Sequence, residues 1–146
     1  MNLINNLKSI LVQTKYNVYG MEKIKQLAPN LSDYVDIILE TDTHMICFKD
    51  IWSRNNLTSE ILNNYLYCSE QINSTINSNT NMKKIYIFVL LVKSSHFNFD
   101  NKILNQKNIH IIKKFNQNKL IKVISYFLYS NDIYFYEADN SVIMLE

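Results

Sequence analysis

Three residues of this sequence, Asp36, Glu40 and Lys49, are of the types that a hydrolytic site uses. A metal-dependent nuclease needs clustered carboxylates that hold magnesium, and a lysine that steadies the attacking water or the phosphate. The nuclease pattern has Asp or Glu two residues before that lysine, but here the position is Cys47. A thiol is a poor magnesium ligand, because magnesium prefers hard oxygen donors. The sequence therefore predicts strand-end charges, with a nuclease that uses a displaced carboxylate as the alternative.

The sequence gives little support for other kinds of catalytic site. A single glycine in 146 residues rules out a glycine-rich phosphate loop. The three histidines lie far apart and are expected at loops or strand edges, without a chemical role. Cys47 and Cys68 lack the short spacings of a zinc site and are expected to be free thiols. We expect no catalytic residue, no metal and no cofactor.

The elements that position Asp36 and Lys49 follow from the apolar pattern. Residues 3–11 and 21–27 predict two short helices, the second ended by Pro29. Residues 15–17 break the first helix, and Gly20 lies in the turn that follows. The apolar stretches 34–39 and 45–48 flank four polar residues and predict a β-hairpin. Asp36 then lies on its first strand, and Lys49 ends its second.

A long amphipathic helix of about 18 residues is predicted from Glu60 onward, from apolar residues at three-four spacing. Residues 85–92 are continuously apolar, which is typical of a central strand buried on both faces. A short helix (99–107), a strand (109–115) and a hairpin (122–129 with 133–138) complete the prediction. The fold class is α/β, with a central mixed β-sheet flanked by helices.

Two surface features suggest partners. Basic residues form candidate contacts to DNA phosphates, which would be independent of base sequence; they are Lys83, Lys84, Lys113, Lys114, Lys119 and Lys122. A lysine-rich solvated face is the alternative. Aromatic residues of the last hairpin form a candidate subunit interface, with core packing as the alternative; they are Tyr126, Phe127, Tyr129, Tyr134, Phe135 and Tyr136.

The net charge of +2 is too small to indicate a dedicated nucleic-acid binder. No signal peptide is visible, and the longest apolar run, residues 85–92, is too short to cross a bilayer. We expect a cytoplasmic protein with no membrane partner. Abundant Asn, Ile and Lys indicate an AT-rich genome, such as that of a parasite, a large DNA virus or a cytoplasmic plasmid.

The order of these elements resembles the N-terminal jaw domain of subunit five of eukaryotic-type RNA polymerases. The likeness runs from the opening helix through Tyr16-Asn17-Val18, the hairpin, the long helix and the apolar strand. It is closest over residues 109–131, where an aromatic strand end is followed by a polar helical turn and a short apolar strand. Where the family has a Val-Pro element, this chain has Leu128-Tyr129-Ser130.

The resemblance implies a restriction-endonuclease-like core without the catalytic site. It implies a non-catalytic small subunit of a viral or linear-plasmid RNA polymerase, with the large polymerase subunit as partner and downstream duplex DNA nearby. Residues 1–146 would form one jaw-like domain, in which residues 132–146 replace the family's assembly domain. A nuclease and a viral adaptor protein unrelated to transcription are the alternatives.

Overall fold

The computed structural model contains both helices and strands, and it describes residues 3–14, 16–51, 57–78, 84–93 and 99–113. The elements in chain order are α1 (Leu3–Leu11), β1 (Asn17–Tyr19), α2 (Met21–Leu27), a 3-10 turn (Pro29–Leu31), β2 (Ile37–Glu40), β3 (His44–Asp50), α3 (Ser59–Ser78), β4 (Ile85–Val92), α4 (Asn101–Gln106) and β5 (Ile109–Lys113). The predicted last hairpin, residues 122–129 and 133–138, lies outside the described residues.

The five strands form one mixed sheet in the order β1-β2-β3-β4-β5. The first three strands are antiparallel neighbours, whereas β3, β4 and β5 run parallel. Parallel neighbours need crossover connections, and the connections from β3 to β4 and from β4 to β5 contain α3 and α4. The predicted α/β class, with a mixed sheet flanked by helices, is confirmed.

Apolar side chains fill both faces of the sheet. On one face, α1 contributes three leucines spaced four residues apart, Leu3, Leu7 and Leu11. They pack with Ile46 and Phe48 of β3 and complete one core. On the other face, α2, α3 and α4 enclose a second core. Strand β4 supplies both cores: Ile87, Val89 and Leu91 belong to the first, and Phe88, Leu90 and Val92 to the second. The prediction of a central strand buried on both faces is confirmed.

Strand β1 is the main difference from the expected elements. The sequence predicts a break at residues 15–17 and a turn at Gly20, but Asn17–Tyr19 pair antiparallel with β2. Three residues are too few to show the alternation that identifies a strand. This strand forms because the neighbouring β2 offers a hydrogen-bonding edge, which is a tertiary cause.

Within the part of the chain that the structure describes, no helix combines the length and the apolar character needed to cross a bilayer.

Candidate functional site

The β2–β3 hairpin brings Asp36 and Lys49 together. Its turn is fixed by Thr41, whose N–H donates to the His44 carbonyl at 2.9 Å and whose Oγ1 accepts the His44 N–H at 2.9 Å. The resulting register pairs Ile37 with Phe48, which makes Asp36 and Lys49 neighbours across the hairpin. The Lys49 Nζ lies 3.5 Å from the Asp36 Oδ1. We call Asp36 and Lys49 the strand-end pair.

The strand-end pair is largely shielded from water. The side chains of Asp36 and Lys49 are 5% and 12% exposed. The second carboxylate oxygen of Asp36 accepts the backbone N–H of Asp50 at 2.9 Å, which fixes the carboxylate against β3. Charges in such a place depend on their partners, because an uncompensated buried charge is costly. The geometry is that of a structural ion pair.

Cys47 occupies the position where a nuclease would have its second carboxylate. It lies two residues before Lys49 on β3, and strand alternation therefore places both residues on the same face of the sheet. Cys47 is 1% exposed and packs in the second core with Tyr65 and Phe88. Burial raises the pKa of the Cys47 thiol well above its usual range, so the sulfur stays protonated. A protonated thiol in an apolar core provides no ligand for a hard cation.

A cavity of about 370 Å³ opens where β3 ends and α3 begins. Its lining combines charged, amide, aromatic and aliphatic side chains, from Asp33, Tyr34, Lys49, Asp50, Ile51, Ile61, Asn64 and Tyr65. This lining contains two carboxylates and one ammonium group. A phosphate would meet more negative than positive charge there.

Tyr65 lines the cavity, and two contacts with Tyr34 hold its side chain in place. Its hydroxyl donates to the Tyr34 carbonyl at 2.8 Å, and the two rings make an edge-on contact with centroids 5.3 Å apart. Burial raises the pKa of Tyr65, so its hydroxyl remains a hydrogen-bond donor and does not act as a base. The helical pattern identifies Tyr65 only as an apolar position of α3. Its place beside the strand-end pair was missed, because it depends on how α3 packs on the sheet.

Within the residues that the structure describes, no group of three or more His, Cys, Asp or Glu side chains could hold a metal ion.

Glu40, the third residue of the alternative nuclease site, belongs to a different cluster. It lies four positions after Asp36 along the chain, or about 13 Å along the strand. The Tyr19 hydroxyl donates to Glu40 Oε1, and the Lys84 Nζ lies 2.7 Å from Glu40 Oε2. The hydrogen bonds from Lys84 and then Tyr19 lower the pKa of the Glu40 carboxyl. We call Tyr19, Glu40 and Lys84 the turn cluster, because it lies at the turn end of the hairpin.

The two described lysines among the candidate phosphate contacts lie at opposite ends of two neighbouring strands, β4 and β5. Lys84 precedes β4 and is held by Glu40. Lys113 ends β5 beside Val92, with its Nζ 5.4 Å from the centre of the Phe99 ring. The length of β4 separates the two lysines by about 25 Å, so they do not form one patch.

The remaining candidate residues for DNA phosphates or the subunit interface lie outside the described residues. They are Lys83, Lys114, Lys119 and Lys122, together with Tyr126, Phe127, Tyr129, Tyr134, Phe135 and Tyr136.

His110 is more buried than the sequence suggests. It lies within β5 and is 2% exposed. Burial lowers its pKa to about 4, so the ring is neutral at physiological pH. The short pattern Ile-His-Ile-Ile shows a strand but does not show that both faces are covered.

Comparisons of this chain with protein-family models, with curated proteins and with solved structures find no match.

Proposed function

We propose that this chain is a non-catalytic small subunit of a multisubunit DNA-dependent RNA polymerase, in which it forms a jaw-type domain beside downstream DNA. Such a domain has a restriction-endonuclease-like core without the nuclease site. The observation that carries the proposal is the hairpin, where Asp36 and Lys49 pair directly and Cys47 is buried at the position of the missing carboxylate.

The arrangement of elements supports this proposal. An antiparallel hairpin, β2–β3, is followed by a long helix and by a strand parallel to β3. This is the order that the resemblance to the jaw domain leads us to expect. Among the described residues, no group of three or more His, Cys, Asp or Glu side chains could hold a cation.

The proposed partner is the large polymerase subunit of a cytoplasmic transcription machine of viral or linear-plasmid type. We assign docking to the aromatic residues of the segment 126–136. Contacts with DNA would come from lysines and would be weak, independent of sequence and steeply dependent on salt. Lys113, which is exposed, remains available for this role, whereas Lys84 is held by Glu40.

Co-purification tests the proposal. The full chain, carrying an affinity tag, is isolated from its native source, and the proposal predicts stoichiometric recovery of the largest polymerase polypeptide. Replacing Tyr134 and Tyr136 with serine should reduce that recovery strongly. Tyr67→Ser is the matched control, because Tyr67 is 65% exposed on α3, outside the proposed docking segment. Recovery of a different protein without polymerase would instead favour the adaptor alternative.

A metal-dependent nuclease is the second candidate, favoured by one observation. Lys49 contacts Asp36 and also lines the cavity at the end of β3, so a lysine paired with a carboxylate reaches an open site. Purified protein is incubated with duplex DNA and magnesium or manganese. We expect no cleavage above that of the Asp36→Asn and Lys49→Met variants. Cleavage that both substitutions abolish would replace the subunit proposal with the nuclease.

A further inference from the structure

We draw no further inference here: the strongest candidate, the cavity at the end of β3 between Asp33, Asp50 and Tyr65, adjoins the strand-end pair already described, and its carboxylates are an acidic cluster for which no second observation in the described residues indicates a ligand.

Discussion

The two ends of the β2–β3 hairpin each hold a lysine against a carboxylate, yet they differ in burial and in partners. In the strand-end pair, Asp36 and Lys49 are 5% and 12% exposed and lie 3.5 Å apart. In the turn cluster, Glu40 and Lys84 are 18% and 28% exposed and lie 2.7 Å apart. The shorter contact is therefore the better solvated one.

A lysine beside a carboxylate therefore does not by itself indicate a catalytic site. The turn cluster connects β1, β2 and the start of β4, since Tyr19 and Lys84 both contact Glu40. The strand-end pair has the residue types of a nuclease site, but its carboxylate contacts Lys49 and accepts the Asp50 N–H. We interpret both as structural, and substitutions that separate their energies test that interpretation.

The largest effect is expected for Cys47→Asp, which supplies the carboxylate that the nuclease pattern requires. Because Cys47 is 1% exposed, burying a charge there should lower the free energy of unfolding by about 4 to 5 kcal/mol. Urea denaturation measures the loss.

Cys47→Ala is the matched control, since it removes the thiol without adding a charge. It should cost clearly less than Cys47→Asp. If magnesium or manganese at millimolar concentration restored the stability of Cys47→Asp, Cys47 would stand in the place of a cation ligand, as we propose. Equal losses for Cys47→Asp and Cys47→Ala would contradict the cost that we assign to a buried charge at this position.

The next largest effect is the difference in stability loss between substitutions of the two lysines. Lys49→Met removes the cation beside a buried carboxylate, which keeps the hydrogen bond from the Asp50 N–H, and should lower the free energy of unfolding by about 3 kcal/mol. Lys84→Met breaks a better solvated pair and should cost about 0.5 to 1 kcal/mol. Urea denaturation of both variants gives the comparison.

Lys93→Met is the control for loss of a positive charge alone, because Lys93 is exposed at the end of β4. Its unfolding free energy should stay close to that of the parent. Equal losses of unfolding free energy for Lys49→Met and Lys84→Met would contradict the difference that we assign to the two ends of the hairpin.

The smallest effect concerns the pH dependence of the turn cluster. The pKa of Glu40 is lowered in the folded protein, mainly by the hydrogen bond from Lys84. Its contribution to stability is therefore complete above the ordinary carboxyl pKa of 4.5 and is lost as the pH falls through the folded value. The difference in unfolding free energy between the parent and Glu40→Gln should shrink over that acidic range.

His110 also makes stability depend on pH, but mainly above the range of Glu40. Its contribution is the same in the parent and in Glu40→Gln, so it does not affect the difference between them. Its pKa in the folded protein is about 4, against an ordinary value of 6.5. The unfolded chain therefore takes up the proton first, and stability falls as the pH drops from about 6.5 toward 4. Both the parent and Glu40→Gln contain His110. A difference between them that did not change below pH 4.5 would contradict the assigned role of Glu40.

Local sequence signals were enough to place Asp36 and Lys49 on the two strands of one hairpin, but they did not predict the turn cluster. A four-residue polar link between two apolar stretches fixes a hairpin, and the hairpin brings Asp36 near Lys49. The contact between Glu40 and Lys84 joins residues 44 positions apart. It depends on the parallel pairing of β3 with β4, which no local pattern encodes.

The same limit explains the other differences. Strand β1 and the cavity both depend on tertiary neighbours: β1 needs the edge of β2, and the cavity needs α3 to pack so that Tyr65 faces the end of β3. By contrast, α3 and β4 were predicted closely, because twenty residues of helical periodicity and eight of apolar strand are long signals.

Cation binding at the hairpin tests the central claim most directly. The full-length protein is titrated with manganese and followed by calorimetry and by the electron paramagnetic resonance signal of the free ion, with Asp36→Asn measured in parallel. We predict that the two proteins respond alike, with no saturable site that depends on Asp36. A single saturable manganese site in the parent that is absent from Asp36→Asn would contradict the account.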